Sequence, residues 1–298
     1  MVAAPAHLSE TGLYSDIVAG TIDAQILEYT PLYPLWSDGA EKRRFIYLPT
    51  CAPIDTTKMD NWKFPIGARV WKEFKVNGQL IETRLMHRFG PGIHDWFYAS
   101  YLWNDSNTDA DLVDITGAAD VKGTTHNIPS VDDCKNCHTK LPERVLGFSA
   151  IQLSHDGPGA TMASLSAAGM LSVPAPNGFV VPGNDVERAA LGYIHSNCGN
   201  CHNASGLVTM KTRVLTTDTT VEGTDTFKAC VNRQGAWSAP GILYRIAPGN
   251  PEASSMYYRM TQRGNPDNMP QIATEIVDPD GMAAVKAWIE IIPPDANP

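Results

Sequence analysis

The sequence predicts an α+β protein, with a strand-rich N-terminal domain over residues 1–180 and a small all-α domain over 181–298. Three observations predict it. Strand-forming runs crowd residues 30 to 125, polar turns and small residues take over from 126, and two capped amphipathic helices mark the C-terminal third. With 298 residues, 43% of them hydrophobic, the chain is long enough for two cores.

Taken in order, WKEFKV (71–76) and QLIETRLM (79–86) flank Asn77-Gly78. Both turn residues tolerate positive φ, so the pair is a strong signal for a type I′ hairpin. WFYASYLW (96–103) is a third aromatic strand. The loop NDSNTDADLVD (104–114) alternates acidic and amide residues, but a calcium loop would need Gly at Ala110 and Glu at Thr116, so it is expected to be a solvated hairpin loop. GPGATMASLSAAGMLS (157–172) can hold a short helix, and the proline-rich VPAPNGFVVPGN (173–184) is expected to be a linker. Then Asn184 and Glu187 form a capping box for a helix with Val186, Ala190, Tyr193 and Ile194 on one face. The chain closes with DPDGMAAVKAWIEII, where Asp278 caps, Pro279 takes the first helical position, and Met282, Val285, Ile289 and Ile292 form the stripe.

Charge narrows the partners. Lys and Arg number 23 against 32 Asp and Glu, a net charge of -9 that repels phosphate backbones and anionic lipid surfaces. Nucleic acid is excluded as an expected partner. No run of about 18 apolar residues predicts a membrane span, and the start MVAAPAHLSE lacks the charged and apolar regions of a signal peptide.

The chemistry is concentrated in one motif written twice: Cys134-Lys-Asn-Cys137-His138 and Cys198-Gly-Asn-Cys201-His202. Cys-x-x-Cys-His is the attachment signature of c-type haem, in which two thiols bond the vinyl groups and the histidine ligates iron. This composition would yield about 0.003 such motifs by chance. A four-Cys zinc site would set its pairs closer together and needs no histidine after each pair. A thioredoxin-like motif would follow a strand in a βαβ unit, which is not the context here. Disulfides within each pair would leave the paired histidines unexplained. The expectation is two covalently bound haem c groups, with His138 and His202 as proximal iron ligands. Attachment of this kind takes place outside the bacterial cytoplasm, so a periplasmic or secreted protein is expected, its targeting segment removed.

A low-spin carrier needs a second axial ligand on each iron, and Met raises the potential relative to His. For the second haem the candidate is Met269 in NPDNMP, which lies after the motif and before the last helix. For the first haem the sequence offers Met86, His87, His94, His126, His155, Met162 and Met170. On strand 79–88, Glu82, Arg84, Met86 and Arg88 share one face and His87 lies on the other. A haem on the first of these faces would find a thioether in Met86 and a propionate partner in Arg84. Met86 is therefore the expected ligand, with His87 and His155 as alternatives.

From Arg188 to Ile292 the chain resembles a class I cytochrome c domain: a helix delivering Cys-x-x-Cys-His, a Met-Pro loop, and a final amphipathic helix carrying Trp288. LYPLWSDGAEKRRFIYLP (32–49), FPIGARVWKEF, ETRLM, HNIPSVDDCKNCH, LGFSAIQLSHD and RAALGYIHSNCGNCHNASG together resemble a bacterial family of dihaem c-type cytochromes across most of the chain. The resemblance implies electron transfer with no settled substrate, and its ETR-L-M motif also favours Met86. It matches a cysteine only at Cys230, so a disulfide between Cys51 and Cys230, which an oxidising compartment permits, stays open.

Trp36, Trp62, Trp71, Trp96 and Trp103 are expected in core or haem packing. The expected function is single-electron transfer between redox partner proteins with basic docking surfaces. The alternatives are a peroxidase-like dihaem enzyme or a gas sensor, each needing an open or labile position at the first iron.

Overall fold

A computed structural model describes residues 3–142, 144–206, 210–271 and 274–296. The chain forms two compact units, one of residues 1–31 with 40–178 and one of residues 32–39 with 179–298.

The first unit is built on an antiparallel six-stranded sheet of consecutive strands. A short ribbon of β1 (Tyr14–Asp16) and β2 (Thr21–Ile22) precedes it. The sheet runs β3 (Ile26–Glu28), β4 (Glu41–Tyr47), β5 (Arg69–Val76), β6 (Gln79–Arg88), β7 (Trp96–Trp103) and β8 (Ala110–Leu112). Asn77 and Gly78 have φ of 52° and 77°, the left-handed pair that the β5–β6 turn requires. One face of the sheet packs Phe45, Trp71, Leu85, Ala99, Tyr101 and Trp103 against Leu8 and Leu13. Within that core the Trp71 indole donates to Thr11 Oγ1 at 3.1 Å and the Trp103 indole to Thr83 Oγ1 at 2.9 Å, so the buried rings leave no N–H unpaired. A second aromatic cluster gathers Tyr29, Trp62 and Phe64 around Phe148, with ring centroids 4.7 to 5.9 Å apart. Two short helices complete the unit, α1 (Val131–His138) and α2 (Met162–Ala167). The solvated hairpin loop expected over 104–114 is confined to 104–109, because the chain pairs with β7 again from the fully buried Ala110 as β8.

The second unit contains α3 (Asp185–Asn197), α4 (Asp225–Cys230), a hairpin of β9 (Gln234–Ala239) and β10 (Ile242–Tyr244), α5 (Ser255–Thr261) and α6 (Pro279–Ile291). The hairpin corrects the expectation of an all-α domain. Its β9 alternates between exposed and half-buried residues and never reaches the core, so no buried face announced it in the sequence. The capping box expected at Asn184 and the cap expected at Asp278 both form: Asn184 Oδ1 accepts from Val186 N and Glu187 N while Glu187 Oε2 accepts from Asn184 N, and Asp278 Oδ1 accepts from Asp280 N and Gly281 N. The buried face of α3 is Ala190, Leu191, Ile194 and His195, while Val186 is exposed at 38%. Close approach is bought with glycine at two places. A Cβ on Gly281 would land in the Tyr193 ring, so α6 crosses α3 there, and a Cβ on Gly192 would land in the Tyr33 ring.

Residues 32–39 belong with this second unit, although the sequence joined them to the strands. Trp36 N donates to Asn197 Oδ1 at 2.8 Å and its indole to Ile276 O at 2.9 Å, while the Asp38 carboxylate accepts from Glu275 N and Ile276 N. Such long-range bonds have no local signature.

Candidate functional site

The first motif is set by α1. Ser130 Oγ accepts from Asp133 N at 3.1 Å and Asp133 Oδ2 accepts from Ser130 N at 3.2 Å, a capping box that fixes the helix start. Cys134, Cys137 and His138 then stand at i, i+3 and i+4, on one helical face. His138 Nδ1 donates to the Arg144 carbonyl at 2.5 Å, which places the proton on Nδ1 and leaves the Nε2 lone pair for a ligand. Burial pushes this imidazole down to about 4, with the charges of Lys72, Arg84 and Arg144 adding to it, so it is neutral at pH 7. Burial also raises the Cys134 thiol, against the pull of Arg84.

The sheet supplies the facing surface. Across it run two rows in register, Arg44–Lys72–Arg84–Ser100 and Ile46–Val70–Met86–Tyr98. The Tyr98 ring lies 5.6 Å from the His138 ring, so the cross-strand neighbour of Met86 touches the imidazole. Met86 itself is 8% exposed. His87 lies on the other face, with its ring 5.1 Å from Phe97. His155 has both ring nitrogens engaged, Nε2 donating to Thr30 O at 2.7 Å and Nδ1 accepting from Gly157 N at 2.9 Å. His126 Nε2 is 2.8 Å from Glu82 Oε2, and His94 Nδ1 is 3.5 Å from Arg144 Nη2. Met162 is buried at the start of α2 and Met170 half-buried in the turn beyond it.

Arg84 sits beside the motif, but its fork is taken: Nε donates to Glu82 Oε1 at 2.7 Å and Nη2 to Glu82 Oε2 at 2.8 Å. Glu82 is fully buried. Burial alone would raise its carboxyl, yet Arg84 and His126 overcome that and hold it down at about 2. Sequence reasoning found Arg84 and missed Glu82, which the period of two places on the same face.

The second motif differs in its setting. It follows α3 in a turn, where Cys201 N and His202 N donate to Cys198 O at 3.1 and 2.9 Å. Burial, with Cys201 adjacent, pushes the Cys198 thiol up to about 12. Burial lowers His202, helped by Arg259 and Arg245 and opposed by the backbone of Met210. Arg259 also holds the Met269 loop: its carbonyl accepts from Met269 N at 3.0 Å and its Nε donates to Asp267 O at 2.9 Å. The guanidinium that acts on His202 therefore belongs to the residue that anchors Met269. Trp36 adds a second tie, from Asn197 beside Cys198 to Ile276 beyond Met269. His195, one motif-length upstream, accepts from Val214 N at 3.0 Å and is held neutral at about 3 by burial.

Neither Cys51 nor Cys230 is in a disulfide, so the bridge left open by the sequence is not made. Cys51 is exposed in the first unit, whereas Cys230 closes α4 with a fully buried thiol, raised to about 12 by burial. Among the described residues no three His, Cys, Asp or Glu side chains gather as a metal-ion site. Compared with known proteins, the chain matches no family model, no curated protein and no solved structure.

The residues around His138 fit a haem. Two thiols and an imidazole share a helix face, the imidazole tautomer is the one a metal needs, and a thioether stands on the sheet face beneath it.

Proposed function

We propose that this chain is a dihaem c-type cytochrome that passes single electrons between redox partner proteins. The observation that carries the reading is His138, presented with Cys134 and Cys137 by a capped helix and held by the Arg144 carbonyl as a neutral imidazole with Nε2 free. When bound, haem iron supplies the one-electron couple. The chain's residues do the rest. Cys134, Cys137, Cys198 and Cys201 would anchor the two groups, and His138, His202, Met86 and Met269 would ligate the irons. The terminal unit, with α3 crossing α6 at Gly281, acts as the cytochrome c-like domain despite its hairpin. The net charge of -9 steers the protein towards basic patches on its partners, in the periplasm or outside the cell. Among the described residues no helix is long and apolar enough to cross a membrane.

The deciding test is mass spectrometry for two covalent haems, followed by the reduced absorption spectrum with and without carbon monoxide. An unchanged spectrum means two six-coordinate irons and supports a carrier. A response from one haem means a labile position, and the peroxidase-like or gas-sensing reading replaces it.

A further inference from the structure

The sheet face under His138 holds more positive charge than its carboxylate balances. Arg44, Lys72 and Arg84 are direct cross-strand partners on neighbouring strands β4, β5 and β6, so three cations repeat at the strand spacing of about 4.8 Å. Among the described residues, Arg84 alone of the three has a carboxylate partner, Glu82. Lys72 has no ion-pair partner among the described residues, and its ammonium lies 4.7 Å over the Phe74 ring. Arg44 is 6% exposed and its Nη2 is buried without a hydrogen-bond partner. Beside them Arg144, 3% exposed, buries its Nε in the same state. Burial and the charges of Arg44, Lys42 and Arg84 push the Lys72 ammonium well below its ordinary value, so the row is uncomfortable as it stands. Buried cations are retained where an anion meets them.

We infer that Arg44 and Lys72 hold the two propionate carboxylates of the haem bound through Cys134 and Cys137, while Glu82 reserves Arg84 as a fixed flanking charge. This rests on the dihaem reading. Two carboxylates leaving one porphyrin edge are a side-by-side pair of anions, the complement of cations repeated across a sheet. Arg44 meets its carboxylate with the planar guanidinium fork and Lys72 with a point charge. The role first assigned to Arg84 thus passes to its neighbours in the row, because Glu82 already engages Arg84 Nε and Nη2 and balances its charge.

The test uses the full haem-loaded protein, with two covalent haems established by mass. Lys72→Gln, Lys72→Arg and Lys75→Gln are compared by potentiometric titration and by redox-difference infrared spectroscopy. Lys75 is three positions along the same strand and so on the opposite face, which makes it the control for a charge change alone. Loss of the Lys72 charge leaves a propionate unneutralised near iron and favours the oxidised state. The expected result is that Lys72→Gln lowers one of the two reduction steps about tenfold in its equilibrium constant, or about 59 mV for one electron. The other step stays in place, the propionate carboxylate bands shift, and Lys72→Arg restores both. If both steps and the carboxylate bands are unmoved, or Lys75→Gln moves them equally, the proposal is overturned while the dihaem reading stands. A chain that carries no haem overturns that reading and the proposal with it.

Discussion

Glu82→Gln tests the charge arrangement at the first site most directly. Glu82 is fully buried, receives both arms of the Arg84 fork at 2.7 and 2.8 Å, and lies 2.8 Å from His126. The amide keeps the shape and removes the charge, leaving Arg84 a half-buried cation next to Lys72 in the same row. Removing one partner of a buried pair costs about 3–5 kcal/mol. Linkage gives a similar figure. The carboxyl falls from 4.5 to about 2, and at about 1.4 kcal/mol per unit that is about 3 kcal/mol. The sign follows from the depressed folded value: the contribution is present above pH 4.5 and is lost as pH falls through about 2. For a unit of this size the melting temperature should drop by roughly 6–12 °C at pH 7. Thermal and urea unfolding followed by far-UV circular dichroism reads it, at pH 7 and at pH 2 to 3. Near pH 2 the gap between wild type and variant should close. A destabilisation under about 1 kcal/mol at pH 7, or a gap that does not narrow with acid, refutes the reasoning.

Other substitutions separate the two sites. Met86→Leu keeps the volume of a buried side chain at small cost, so the first haem should turn high-spin and react with carbon monoxide; an unaltered low-spin spectrum removes Met86 from the ligand set. Met269→Leu should do the same at the second haem and lower its potential, because thioether ligation raises it, and spectroelectrochemistry reads both effects. Gly281→Ala drives a methyl into the Tyr193 ring at the α3–α6 crossing. Overpacking of up to about 3 kcal/mol exceeds the helix-propensity gain of about 1 kcal/mol, so a net loss of up to about 2 kcal/mol is expected, and a denaturation curve showing stabilisation would contradict the packing. Electron transfer to a basic partner should slow as salt rises, given the net charge of -9; stopped-flow rates independent of ionic strength would remove the steering.

What could be read ahead of the structure was local. Asn77-Gly78 specifies its turn through two residues' φ, and Asn184 and Asp278 specify helix starts through side chains that reach two or three residues on. The period of two placed Arg84 and Met86 on one strand face and His87 on the other without any knowledge of the partners. What failed depended on distant residues or on weak faces. The β9–β10 hairpin has no buried stripe to betray it, and residues 32–39 leave the strands for bonds to Asn197 and Ile276. Arg84 shows where the boundary falls. Its face was legible, and Glu82 two positions away was in plain sight on that same face, but the competition for its fork turns on depth. Exposed, Glu82 would be solvated and hold Arg84 only weakly. Buried at 0% exposure, it must be paired, so it takes Nε and Nη2 of Arg84 first and balances that charge, while Lys72 and Arg44 in the same row have no carboxylate partner among the described residues. The sequence names the charges on a face, while burial, set by the whole fold, decides which of them are free to bind.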